Sequence, residues 1–418
     1  MNQQVGITGL GVVCGYGTEQ AAGLFEHVLH GRSAIGSFQP EPCLSATRYA
    51  AMAVGGFDAN GRLGAGARQT LDRGTQFALS AALTAWQDAG LTPDPNDDRS
   101  DAAVCWGTAL GGVSATERSY FDVLRNGRDR VSPLLIVTAM HNAPAAHIAL
   151  RLGLAGQVTT TSVACASSAI AIGEAVRLIR SGAAQIAVAG GSEAALTAGM
   201  LLSWEAMRVM APPGTEPERA CRPFSSDRAG LVLGEGAAAL VLESVAHARA
   251  RGARLYAELA GYGASCDHSH LTRPSETGQA RAIEAALNDA SLDRHAIGYI
   301  NAHGTATLEG DPTEIQSIRR VFGARAESIA VSATKSMHGH MLGATGAMEA
   351  LITACALWRQ QVPPTAHLDA IDPACAGVGH IAHTGAARSI EAALSNCFAF
   401  GGSNAVLALR RADRALAR

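Results

Sequence analysis

Three short segments of the chain gather side chains suited to acyl chemistry. Thr160-Thr161-Ser162-Val163-Ala164-Cys165-Ala166-Ser167-Ser168 sets a cysteine among small residues. Asn301-Ala302-His303-Gly304-Thr305 carries a histidine beside a glycine, and Lys335-Ser336-Met337-His338-Gly339-His340 carries a lysine and two further histidines. A thiolate is the nucleophile that thioester exchange requires. Neutral imidazoles are N–H donors able to stabilise an oxyanion that grows in a transition state. Cys165 stands where a β-branched run gives way to an Ala-rich stretch, so its sulfur is expected at a helix N-terminus, where the dipole and free N–H groups favour thiolate. Residue type alone leaves a small buried thiol open for Cys165, and that is the reading for Cys14, Cys105 and Cys355. A lone loop histidine is usually a surface residue; two such loops flanked by glycines carry more weight.

Composition points to the same place. Among 33 basic residues Lys335 is the sole lysine, every other being arginine. An Arg-rich genome explains the bias but not the survivor, because a surface charge is served equally by Arg, whereas a compact ammonium donating at close quarters in a buried site is not.

The elements that must position these residues read as layered α/β structure. Short apolar runs alternate with Ala-rich helical stretches, the pattern of βαβ units around a mostly parallel buried sheet. Strands are predicted over Val158–Val163, Gln185–Ala189 (closed by Gly190-Gly191), Ala237–Glu243, Ile297–Asn301, Ile329–Ser332 and Ala392–Cys397, and helices over Ala166–Arg180 and Gly346–Arg359. His303 and Lys335 then fall just beyond strand ends, where such sheets bind ligands. The basic, Gly-containing segment Arg249–Arg254 reads as the junction between two similar halves, 1–254 and 255–418. Gly9-Leu10-Gly11 invites a dinucleotide loop, but the third glycine, Gly15, is one residue too far and no ribose-binding acid follows, so a tight turn is expected. The residues after Arg410 read as a frayed tail.

Composition also excludes function classes. At 418 residues the chain has ample apolar surface to bury. A net charge of −3 and the absence of a basic stripe interleaved with aromatics argue against nucleic acid. No apolar run is long enough to span a bilayer and the N-terminus lacks a signal pattern, so a cytoplasmic protein is expected. Nine cysteines without Cys-x-x-Cys spacing argue against a disulfide framework and a zinc site.

The three segments resemble the β-ketoacyl-acyl-carrier-protein synthases, in particular the type II elongating branch of the thiolase superfamily. The likeness runs from Val5-Gly6-Ile7-Thr8-Gly9-Leu10-Gly11 to Asn396-Cys397-Phe398-Ala399-Phe400-Gly401-Gly402-Ser403-Asn404. It includes Arg222-Pro223-Phe224, Asp227-Arg228 and Gly234-Glu235-Gly236. The resemblance implies a thiolase-like layered α-β-α-β-α fold of two similar halves. It also implies decarboxylative condensation of an acyl primer with a malonyl thioester through an acyl-Cys165, without metal or organic cofactor. Catalytic roles fall by this likeness to Cys165, His303, His340 and Lys335, an oxyanion hole to the Cys165 and Phe400 N–H groups with Phe400 as a gate, and supporting roles to Glu349, Asp311 and Glu314. Glu349 is expected to partner Lys335, and Lys335 to act on His340. Leu110 is the expected floor of the acyl pocket. The implied partners are acyl carrier protein, met by Arg208 and by Arg68, Arg125, Arg128 and Arg130 on charge clustering, and a second subunit, identical or a chain-length-factor-like one. Two other readings are weighed. A thiolase would use a second cysteine, for which Cys397 could be offered, and a non-catalytic chain-length factor usually lacks the cysteine that this chain keeps.

The chain departs from the family pattern at three places. Ala399 replaces the usual glycine of the last loop, adding a methyl group at a hinge where a positive φ would cost more. Thr305-Ala306-Thr307-Leu308 replaces Thr-Ser-Thr-Pro, and His338 replaces a small polar residue. These changes favour a specialised pathway, such as polyketide or aryl polyene synthesis, over housekeeping fatty-acid synthesis.

Overall fold

The computed structural model describes residues 3–17, 19–41 and 47–412. Two runs of five strands share one topology. In chain order the first run is Val5–Val13, Ala102–Gly107, Val158–Thr161, Ile186–Glu193 and Gly236–Ser244; the second is Ala257–Cys266, Ile297–Asn301, Ala330–Ser332, Ala392–Phe398 and Ser403–Arg411. In both, the strands lie in the order third, second, fourth, fifth, first. The second strand pairs parallel with the third and fourth, and the fifth pairs antiparallel with the fourth and first. The sheet is therefore mixed, not mostly parallel. The two first strands meet antiparallel at Gly6–Glu258 and Ile7–Ala257, and Gly379–His380 extends the second run at its edge.

Layers follow from where the helices must hide their apolar faces. Arg73–Asp88 packs on one side of the first run and Glu276–Ala290 on the corresponding side of the second. Ser167–Arg180 and Thr345–Arg359, each following a third strand, lie between the two runs and against each other. The result is α-β-α-β-α. The central helices are Ala- and Gly-rich because there is no room for more: a Cβ at Gly346 would stand 2.7 Å from the Ala169 nitrogen. One apolar cluster runs from Val5 through Ile172 and Leu351 to Leu409, so the halves share a core.

Most predicted elements shift only at their ends. Ile186–Glu193 runs through Gly190-Gly191 instead of stopping there, and Ser403–Arg411 carries the last strand one residue past Arg410, the rest of the expected tail, 413–418, lying outside the described residues. Gly9-Leu10-Gly11 is a correction. It forms no turn but sits inside the continuous, fully buried strand Val5–Val13. The glycines admit the Arg73–Asp88 helix: a Cβ at Gly9 would lie 2.1 Å from the Ala85 carbonyl oxygen and one at Gly11 2.1 Å from that of Ala81. Cys14, Cys105 and Cys355 are buried free thiols; Cys266 is exposed, and Cys43 lies outside the described residues.

Because the obstacle is helix backbone and cannot rotate away, Gly9→Ala is expected to destabilise the fold by about 2 kcal/mol or more. Thermal melting checks this; an unchanged melting temperature would contradict the packing described.

Candidate active site

The repeated topology delivers the three chemical segments to one cavity. Cys165 lies between the third strand and the central helix of the first half, and Lys335 and His340 lie between the equivalent strand and helix of the second. His303 follows Ile297–Asn301, whose neighbour in the sheet leads to Lys335. Cys165, His303 and His340 line a cavity of about 400 Å³ together with Phe398, Ala399 and Phe400.

Cys165 is presented by a tight backbone turn. Ala164 has φ +49°, the Ser167 N–H bonds back to the Ala164 carbonyl, and Ser167 Oγ accepts from the Val163 N–H. The left-handed conformation at a non-glycine residue is uncommon and aims the following side chain out of the strand direction. Sγ lies 3.0 Å from His340 Nε2. Burial pushes the Cys165 thiol up to about 11, against the Lys335 charge and the Phe400 and Cys165 backbone N–H groups that pull it down; a negative Glu193 adds to the rise. The expectation of a ready thiolate at the helix N-terminus is thus corrected. Desolvation of the sulfur outweighs the donors around it.

Lys335 is fully buried and has an acceptor for each of its three protons. It donates to Glu349 Oε1 at 2.6 Å, to the His303 carbonyl, and to His303 Nδ1 at 3.3 Å. The ring it touches is His303, not His340 as expected, because the side chain reaches across to the neighbouring strand's loop. An ammonium has no lone pair, so His303 Nδ1 must be the acceptor and the ring proton must sit on Nε2. Burial and the Lys335 charge together hold both imidazoles well below the usual histidine range, hence neutral at pH 7. The rings meet edge to face with centroids 5.5 Å apart. His340 Nδ1 lies 3.1 Å from Thr345 Oγ1; with that hydroxyl as donor, Nε2 carries the proton. Two N–H groups can therefore meet one oxygen placed between the rings.

The expected supporting acids hold the loop and do not enter the chemistry directly. Glu314 accepts from the His303 and Gly304 N–H groups at 2.8 Å each and from Asn396. Asp311 accepts from the Phe224 and Ala306 N–H groups. Burial pushes the Glu349 carboxyl upward while the Lys335 ammonium pulls it back. His338 is satisfied by Thr334 Oγ1 and the Gly339 carbonyl and does not line the cavity. Ala399 has φ −118°, so its methyl group costs nothing in this conformation; the positive φ values fall on Gly401 and Gly402. Cys397 points its thiol at the Cys165 carbonyl, 3.0 Å away, and not into the cavity, as a thiolase base would have to.

Arg208 lines the cavity mouth. Arg68, Arg125, Arg128 and Arg130 are exposed away from it, Arg128 paired with Asp122. Leu110 packs in the apolar cluster that contains Cys165 without lining the cavity itself. Sequence reasoning missed Arg273, beside Leu271 at the mouth, and Trp204, whose ring stacks with Phe400 at 6.0 Å. Neither carries a local motif. Among the described residues no three His, Cys, Asp or Glu side chains form a group able to hold a metal ion, and no helix is long and apolar enough to cross a membrane.

Comparison with known proteins agrees with this geometry. The family model "Beta-ketoacyl synthase, N-terminal domain" matches residues 2–248, and "Beta-ketoacyl synthase, C-terminal domain" matches 256–369. The chain is 41% identical to nodulation protein E of Rhizobium sp. (strain N33), covering 98% of this chain and 100% of that one. It is 36% identical to 3-oxoacyl-[acyl-carrier-protein] synthase 2 of Vibrio cholerae, covering 98% and 99%. The solved ishigamide ketosynthase/chain length factor superposes with a TM-score of 0.92 at 31% identity, over 99% of this chain and 100% of that one.

Lys335→Arg is expected to melt like the unaltered protein yet release carbon dioxide from a malonyl thioester about a hundredfold more slowly. A planar guanidinium cannot serve the His303 ring, the His303 carbonyl and Glu349 at once. Near-normal release would show that any cation suffices.

Proposed function

The chain belongs to the β-ketoacyl synthase family, and we propose that it is an elongating 3-oxoacyl-[acyl-carrier-protein] synthase working through Cys165, His303, His340 and Lys335. The observation that carries these roles is the meeting of the Cys165 sulfur, the His340 ring at 3.0 Å and a His303 ring whose Nδ1 faces an ammonium. In the first half-reaction Cys165 sulfur attacks the acyl thioester, the carbonyl oxyanion is held by the Cys165 and Phe400 N–H groups, and the carrier thiol leaves with the proton that the cysteine gives up. In the second, the malonyl thioester oxygen accepts from His303 Nε2 and His340 Nε2. The carbon–carboxylate bond breaks, its electron pair becomes the enolate, and carbon dioxide departs. The enolate carbon then attacks acyl-Cys165, and the tetrahedral intermediate collapses to the 3-oxoacyl thioester and the Cys165 thiolate, which takes a proton from solvent to restore the resting thiol. The two donors bind the enolate oxygen more strongly than the ground-state carbonyl, which is the kind of binding that lowers a barrier. Neutral rings are required because only then is an N–H donor available at neutral pH without a buried positive charge at each histidine.

Arg208 and Arg273 flank the mouth, and neither has a carboxylate within ion-pair distance among the described residues. With Leu271 and Leu308, both exposed, they form a basic and apolar rim suited to an acidic carrier protein and its acyl-bearing arm. Arg68, Arg125, Arg128 and Arg130 remain outer contacts in this reading. A second subunit fits the far end of the sheet. There Val158–Thr161 presents an open edge, and Tyr120, Leu124, Ile136, Val137 and Leu150 are exposed nearby. The ishigamide ketosynthase is solved with a chain length factor, and we assign this face to an identical or chain-length-factor-like partner. We place the boundary between the halves at 254/255, the pathway in specialised polyketide or polyene chain extension, and the enzyme in the cytoplasm with its carrier-bound substrates.

Cys165→Ala is expected to lose condensation and keep part of its carbon dioxide release, because the two imidazole donors remain; intact-mass and peptide mapping should find the acyl group of the unaltered protein on Cys165. An acyl group on Cys397 would contradict the assignment. Arg208→Glu should raise KM for acyl carrier protein and leave small acyl thioesters nearly unaffected. Equal loss on both would place Arg208 in folding or chemistry instead.

A further inference from the structure

One buried carboxylate stands outside the machinery described so far. Glu193 ends the strand Ile186–Glu193 and is 1% exposed. It has no cationic partner among the described residues. Burial pushes its carboxyl up to about 7, and only the dipoles of neighbouring N–H and O–H groups pull it back down. Oε2 accepts from the Ala109 N–H at 2.8 Å and the Gly343 N–H at 3.1 Å, and Oε1 from the Leu110 N–H at 3.2 Å and the Thr108 hydroxyl at 3.3 Å. Thr108 Oγ1 in turn accepts from the Gly111 N–H. A carboxylate has about four lone-pair sites, and all four are used.

These donors belong to two separate loops that both pack in the apolar cluster containing Cys165. One is the Gly107–Gly112 segment with Leu110. The other is the Leu342–Ala344 turn, which follows His340 and holds Leu342 at φ +45°. Leu110, Leu342 and Cys165 belong to one apolar cluster. The loops touch so closely that a Cβ at Gly343 would lie 2.4 Å from the Ala109 nitrogen. Apolar contact alone does not fix such packing, because leucine side chains repack at small cost. Four hydrogen bonds to one ion do, since each donor would otherwise be buried without a partner.

We propose that Glu193 is a positioning residue for acyl-chain length: by tying the Leu110 loop to the Leu342–Ala344 turn it fixes how far an acyl chain on Cys165 can reach into the apolar cluster that these residues share with it. The proposal rests on the function proposed above, in which Cys165 carries the acyl group. Glu193 touches no reacting atom and acts through the position of Leu110 and Leu342. An amide in its place brings two donors against backbone donors, so the loops separate and that limit blurs. Thr108→Val removes one donor to Glu193 together with the acceptor of the Gly111 N–H, and leaves the shape of the side chain.

The test is acylation of Cys165 by straight-chain acyl thioesters of stepwise increasing length, followed by intact mass, with kcat/KM measured for each length. Glu193→Gln is expected to lower the ratio between the preferred primer and the next longer homologue by about tenfold, the scale of one charge-assisted hydrogen bond, and Thr108→Val by about threefold in the same direction. Alkylation of Cys165 by iodoacetamide should persist in both variants. A uniform loss over all lengths, or an unchanged profile, would overturn the proposal and leave Glu193 a structural residue. Should Glu193→Gln fail to fold, Thr108→Val decides alone. Failure of the underlying function shows separately, as no acyl-Cys165 in the unaltered protein with any primer, and removes both.

Discussion

A single buried ammonium sets the state of this site. Lys335 is satisfied by Glu349 Oε1, the His303 carbonyl and His303 Nδ1, and each contact has a consequence. The carboxylate makes burial of the charge tolerable, since a buried ion left without its partner costs about 3–5 kcal/mol. The carbonyl anchors the loop that carries His303. The ring contact makes Nε2 the only place for the proton. Burial is the larger influence on both Cys165 and His340; the Lys335 charge adds to it at the His340 ring and opposes it at the Cys165 thiol, which stays raised. Nucleophile and donors are thus tuned by one group, which is why their geometry cannot vary independently.

The architecture explains how residues so distant in the chain are brought within bonding distance. A five-strand unit is used twice, and both copies send the connection after the third strand into a central helix. Cys165 ends one connection and His340 lies in the other, so their meeting at 3.0 Å is a product of the near-symmetric packing of Ser167–Arg180 on Thr345–Arg359. Gly346 against Ala169 is the close approach that allows it. Around the site, Glu314 and Asp311 on the Gly310–Phe322 helix take up the N–H groups of the 303–306 loop, so His303 is held by main-chain bonds as well as by Lys335.

The sequence made the reacting groups legible because their types are scarce and their settings distinctive: a cysteine among small residues, histidines beside glycines, and the sole lysine. Strands and central helices were legible from apolar runs, with errors at their ends. Contacts that depend on three-dimensional proximity were not. That Lys335 faces His303 and not His340 depends on strand order, which no local pattern encodes. Gly9-Leu10-Gly11 looked like a turn because its reason, the Arg73–Asp88 helix pressed against the strand, lies some seventy residues away in the chain. The Cys165 thiol was expected low from its helix terminus, yet burial by both halves pushes it up. Glu193 carries no local signal, since its four donors come from two other segments.

The central claim is that His303 is a neutral imidazole with its proton on Nε2, kept neutral by burial and the Lys335 charge and held in that tautomer by Lys335. Nitrogen-15 chemical shifts of the histidine rings, with His303 identified by its loss in His303→Asn, read this directly. The account predicts a bare Nδ1 and a protonated Nε2 for His303, unchanged from pH 8 down through pH 6.5, the usual histidine midpoint. A protonated Nδ1, or a ring that becomes an imidazolium in that range, would contradict it.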